Sequence, residues 1–133
     1  METNIHWKKK SYEELLAPLS LQFERSKNCY TRYLTNHHYL HAQTLKKANV
    51  EILRLLMEKS YLIPENLQND ALRIIDHLDV WFEQYEHLAK ELNPHPNTPF
   101  IFDRPAESIE FPKAAEKKFQ EEKQKLKSEL SVQ

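Results

Sequence analysis

The richest run of chemistry-bearing side chains in the sequence is Asn36-His37-His38-Tyr39-Leu40-His41. On a helix, His37 and His41 would share one face, which is the spacing of two metal-binding histidines. Asp76, His77, Asp79 and Glu83, on a second helical segment, are the candidate further ligands. Di-metal bundles use paired Glu-x-x-His motifs with inward glutamates. None is present, because Glu83 and Glu86 are followed three residues on by Glu86 and Ala89. The expectation is therefore a half-buried histidine stripe, with no metal and no other cofactor. Cys29 is the one cysteine. Arg25 and Arg32 lie four and three residues from it and would lower its pKa if close. No base accompanies it at a catalytic spacing, so Cys29 reads as a small packing residue.

A second constellation overlaps the first. Arg32-Tyr33-Leu34-Thr35-Asn36-His37 is an arginine, four residues, then a histidine. It is similar to the catalytic motif of HEPN ribonucleases, which are small helical bundles and often dimers. That family prefers a polar residue straight after the arginine, where this chain has Tyr33, and its motif falls later in the domain. The resemblance implies that Arg32 would stabilise charge developing on an RNA phosphate while His37 moved a proton. Tyr30, Arg32, Tyr33, His38 and Tyr39 also interleave aromatic and basic groups, as base-stacking surfaces do. At helical spacing, Tyr30, Tyr33 and Leu34 fall on a packing stripe instead, and nucleic acid is the weaker reading.

Composition bounds what can position these residues. The 133 residues suit a single domain, 1–133, and 40% are hydrophobic, enough for a core. Nineteen basic and twenty acidic residues leave a net charge of −1, which disfavours a general nucleic-acid or anionic-membrane binder. The opening METNIHWKKK lacks the apolar centre of a secretory signal. No apolar run approaches the roughly 20 residues of a membrane span. A cytoplasmic setting with no membrane is expected.

There are no glycines, where average usage of about 7% would give about nine. Tight hairpins and phosphate-cradling loops depend on glycine, so both a sheet and nucleotide fingerprints are disfavoured. Seven prolines supply the punctuation. Ser11 with Glu14 forms a capping-box pattern that opens a short helix, and Pro18 starts the next one or kinks it. From Leu19, the residues Phe23, Tyr30, Leu34, Leu45, Ala48, Ile52 and Leu55 recur at helical spacing, with His37 and His41 in the middle. That segment is one long helix or two that break near Thr35-Asn36-His37. Leu67, Ala71, Ile74, Ile75, Leu78, Phe82, Tyr85, Leu88 and Leu92 mark a helix that Asn93-Pro94 ends.

The expected fold is all-α. A long antiparallel helical hairpin, about 18–60 and 64–92, sits within a three- or four-helix bundle. A proline-rich loop, 93–111, is pinned across it by Phe100-Ile101-Phe102 and Ile109-Glu110-Phe111, and a C-terminal helix spans 112–130. Trp81 and Phe82 are adjacent, so both cannot face one core, and Trp81 is expected to meet another helix, the loop or a second chain. The last helix has a thin apolar face of Ala115, Phe119, Leu126 and Leu130. Trp81, Phe119 and Leu126 are therefore the candidate partner-binding residues, with aromatics the favoured anchors of interfaces.

The order of a helix ending in Leu62-Ile63-Pro64, an aromatic helix around Asp79-Val80-Trp81-Phe82, a proline-rich loop and a terminal helix opened by Phe111-Pro112-Lys113-Ala114-Ala115-Glu116 resembles small, uncharacterised helical proteins that bacteria encode near phage-defence or mobile-element genes. The resemblance implies a bacterial intracellular setting and an accessory role. The expected function is thus a non-catalytic helical interaction or regulatory module, which self-associates or joins a larger complex.

Overall fold

The computed structural model describes residues 2–102 and 111–131. Among these the chain is helical throughout, apart from short connections and one antiparallel bridge between His38 and Pro99. Among the described residues there are five α-helices: α1 (Glu2–Ser11), α2 (Ala17–Asn36), α3 (Tyr39–Glu58), α4 (Gln68–Leu92) and α5 (Lys113–Ser131). Short 3-10 turns at Ser60–Leu62 and Glu65–Leu67 join α3 to α4.

The N-terminal third departs from the capping-box expectation. Helix already begins at Glu2, and Ser11 sits inside it at φ −57°, with no side-chain cap. Its hydroxyl instead donates to the buried Leu62 carbonyl at 2.7 Å. Tertiary packing has overridden the local cap signal, with Trp7 and Tyr12 resting on the core and Lys8 held by Glu129 at 2.9 Å. Between α1 and α2 the chain widens into a single π turn, Tyr12–Leu16, where the Ala17 N–H donates to the Tyr12 carbonyl. Pro18 lies one residue further on. A proline inside a helix removes one backbone bond and crowds the preceding turn. The wider turn takes up that misfit and lets the helix continue.

The 18–60 segment is two helices, not one arm of a hairpin. It reverses at Asn36–His38, and α3 runs back along α2. Ser26 on α2 reaches Asn49 on α3 at 3.1 Å, and the small buried residues Cys29, Ala42 and Ala48 let the two helices approach closely. The reversal needs a left-handed residue, and the chain has no glycine. His37 takes that position at φ 58°, and Asn93 does the same at φ 45° where α4 ends.

α4 and α5 complete the bundle. α5 runs antiparallel to α1 and α2, with Lys8 against Glu129, Ser20 against Gln120, and Lys27 against Glu116. The core has two parts. One is aliphatic, from Leu15, Leu19 and Phe23 through Ile52, Leu56, Ile74 and Leu78 to Phe119 and Leu126. The other surrounds the α2–α3 reversal and is aromatic, with Tyr33, Trp81, Tyr85 and Phe100.

Candidate functional site

The histidine run forms the α2–α3 turn. The His37 N–H closes α2 on the Tyr33 carbonyl at 2.7 Å, and its ring meets Tyr33 edge-on, with centroids 5.0 Å apart. His38 is extended and starts α3, so His37 and His41 do not share a helix face. The i,i+4 metal geometry therefore does not form. Among the described residues, no three His, Cys, Asp or Glu side chains are grouped to hold a metal.

The first N–H groups of α3 have no partner within the helix. The segment after α4 supplies partners for the first two. Tyr39 donates to the Thr98 carbonyl and Leu40 to the Pro96 carbonyl, both at 2.9 Å. In return, the Phe100 N–H donates to the His37 carbonyl at 2.8 Å, and the Tyr33 hydroxyl donates to the Phe100 carbonyl. Phe100 and Phe102 point inward and Ile101 outward. These contacts hold Phe100 and Phe102 against the α2–α3 turn, while Ile109 and Glu110, the rest of the expected second island, lie outside the described residues.

Arg32 is exposed and turns back along α2, with a guanidinium N–H donating to the Cys29 sulfur at 3.6 Å. Among the described residues no hydrogen bond or ion pair joins Arg32 to His37.

The three partner-binding candidates are placed inside the chain's own fold. Trp81 is 4% exposed and packs on Tyr85 and Phe102, with ring centroids at 5.3 and 5.7 Å. The segment after α4 is what Trp81 meets. Phe119 and Leu126 are each 2% exposed, and Phe119 stands edge-on to Phe23. A thin apolar stripe suffices for α5 because its flanks add polar ties to α2 and α4. Lys27 lies 2.6 Å from the buried Glu116, and that hydrogen bond raises the lysine pKa. Lys118 lies 3.7 Å from the buried Asp70.

Burial also acts on three other titrating groups. It pushes the Tyr33 hydroxyl up to about 12, and it raises Tyr85, to which Tyr39 adds a hydrogen bond. It lowers the His77 imidazole, which packs edge-on against Phe111 at 5.3 Å.

A different surface remains uncovered, along the seam between α3 and α4. Lys46 on α3 lies 2.7 Å from Glu86 on α4 and 4.8 Å above the Tyr85 ring, which marks the seam. At about 100° per residue, Lys46, Val50, Leu53 and Met57 form one row on α3. Leu72, Ile75, Asp79, Phe82 and Glu86 form the matching row on α4. Leu53, Ile75 and Phe82 are half-buried and make a floor. Val50, Met57 and Leu72 stand exposed along it, the last two by 59% and 57%. Sequence reasoning missed this strip because it followed the stripes that build the core. The signal was present in apolar residues that fall off those stripes, namely Val50, Met57 and Leu72.

Comparison of the chain with protein-family models, with curated proteins and with solved structures gave no match. No helix among the described residues is long and apolar enough to cross a membrane.

Proposed function

We propose that this chain is a non-catalytic helical interaction module that docks a protein partner on the α3–α4 face. The observation that carries the reading is the strip of Val50, Met57 and Leu72, exposed over a half-buried apolar floor. A continuous apolar patch rimmed by charge is the usual mark of a protein interface. With the resemblance noted above, the reading extends to an accessory role inside a bacterial cell, in a complex of the kind encoded beside phage-defence genes. The experiment is copurification from the native host with native and Met57→Glu/Leu72→Glu chains. A stoichiometric protein partner, or a second copy of the chain, is expected with the native form and lost with the variant. A strictly monomeric native chain with no partner contradicts the reading. So does RNA cleavage by the native chain that His37→Ala abolishes.

A further inference from the structure

α5 is held differently from the other helices. Its buried side chains are Ala115, Glu116, Phe119 and Leu126. Phe119 and Leu126 are the large apolar ones, and they stand two turns apart, about 10 Å along the axis. The positions between them on the same face, at the helical spacing of three and four, are Glu122 and Lys123. Both reach polar groups on other elements. Asn66 donates to the Glu122 carboxylate at 3.4 Å, and Lys123 donates to the Ser20 hydroxyl at 3.2 Å. The middle of the α5 contact is therefore polar.

The polar ties continue to either side. Ion pairs join α5 to α1 through Lys8 and Glu129, to α2 through Lys27 and Glu116, and to α4 through Asp70 and Lys118, at 2.9, 2.6 and 3.7 Å. Glu116 and Asp70 are buried carboxylates, while the side chains of Lys27 and Lys118 stand more than half in solvent. The Ser20 hydroxyl donates to the Gln120 side-chain carbonyl at 2.7 Å, and the Gln120 amide nitrogen is buried with no hydrogen-bond partner among the described residues. The α2–α3 contact is the opposite case, closely packed on Cys29, Ala42 and Ala48.

These features lower the energy needed to lift α5. A buried carboxylate loses hydration that one lysine returns only in part, and a buried amide group without a partner loses it outright. Separation gives water back to Glu116, Asp70 and Gln120, which offsets part of the apolar contact that is lost. Salt weakens the ion pairs, because their lysines are open to solvent. We propose that α5 is a releasable strap, which lifts from α1, α2 and α4 as one unit while α2 and α3 stay folded, and does so more often as ionic strength rises. Local opening is drawn from the parts of a fold with the fewest buried apolar contacts. Release uncovers Leu15, Leu19, Phe23 and Ile74, which share the aliphatic core with Phe119 and Leu126. The inference uses none of the residues of the α3–α4 strip, so it stands or falls apart from the docking reading.

The test is amide hydrogen exchange of the full chain, read by mass spectrometry of its peptides. Amides of α5 are expected to exchange about tenfold or more faster than the core amides of α2 and α3. Raising sodium chloride from about 0.05 M to about 0.5 M should speed α5 by about a further tenfold and leave α2 and α3 unchanged. Lys27→Met strands the buried Glu116 and should speed α5 alone by about tenfold, whereas Lys27→Arg, which keeps the charge, should leave its rate unchanged. Lys27 lies on the surface of α2, so circular dichroism should show native helix content in both variants. The salt series needs no variant and decides the matter on the native chain. An α5 that exchanges no faster than α2 and α3 overturns the inference, because it then opens only when the whole bundle unfolds. So does a response to salt or to Lys27→Met that every helix shares equally.

Discussion

The Lys46 ammonium lies 2.7 Å from the Glu86 carboxylate and 4.8 Å above the Tyr85 ring, fastening α3 to α4 at a single level. The pair is half-exposed, so its Coulomb gain is small, about 0.2–1 kcal/mol. The cation over an aromatic face adds about 0.5–1 kcal/mol. Lys46→Met is expected to lower unfolding stability in urea by about 1 kcal/mol, with part of the loss masked in high salt. A loss above about 3 kcal/mol would show that the pair does more than staple two helices.

Trp81, Phe119 and Leu126 belong to the core, and truncation should affect folding first. Trp81→Ala and Phe119→Ala should each cost about 3–5 kcal/mol, and Leu126→Ala about 2–5 kcal/mol. A variant that keeps native stability but loses partner binding would return that residue to the surface.

Tyr33 ties the segment after α4 to the α2–α3 turn. Tyr33→Phe leaves the Phe100 carbonyl without its donor, at a cost of about 1–3 kcal/mol. The same tyrosine gives an alkaline signature. Its folded pKa is raised from 10 to about 12, so its contribution is complete below pH 10 and is lost as pH climbs toward 12. Urea midpoints measured across that window should fall more steeply for the native chain than for Tyr33→Phe.

His77 acts on the acid side. Burial lowers its folded pKa below the unfolded value near 6.5, so the unfolded chain binds the extra proton. Its contribution is present above about pH 6.5 and is lost as pH falls through the lowered value. His77→Leu should reduce the drop in urea midpoint between neutral and mildly acidic buffer, and an unchanged drop would assign the acid limb to other groups.

The helical class could be read from the sequence, and the reasons are specific. The missing glycines disfavoured strands, and Asn93-Pro94 stopped α4 at Leu92, as seen. The final helix lies within one residue of its expected bounds at each end. The reversal at His37 was harder to place. Glycine is the usual left-handed residue, and a chain without it must use asparagine or histidine, which also occur inside helices. α1 left no trace in its sequence, because METNIHWKKK has no apolar period and is held by Trp7 packing and the Lys8–Glu129 pair. For the site, Trp81 was expected to meet another helix, the loop or a second chain, and it packs on Tyr85 and Phe102 of the same chain. The α3–α4 strip needed the structure, because only the packing shows which side of α3 faces α4.

The central claim is that the α3–α4 face, with Val50, Met57 and Leu72 exposed on it, docks a protein. The most direct test is copurification from the native host with the native chain and Met57→Glu/Leu72→Glu side by side. The account predicts a stoichiometric partner, or a second copy of the chain, with the native form and none with the variant. Equal recovery with both, or no partner with either, would contradict it.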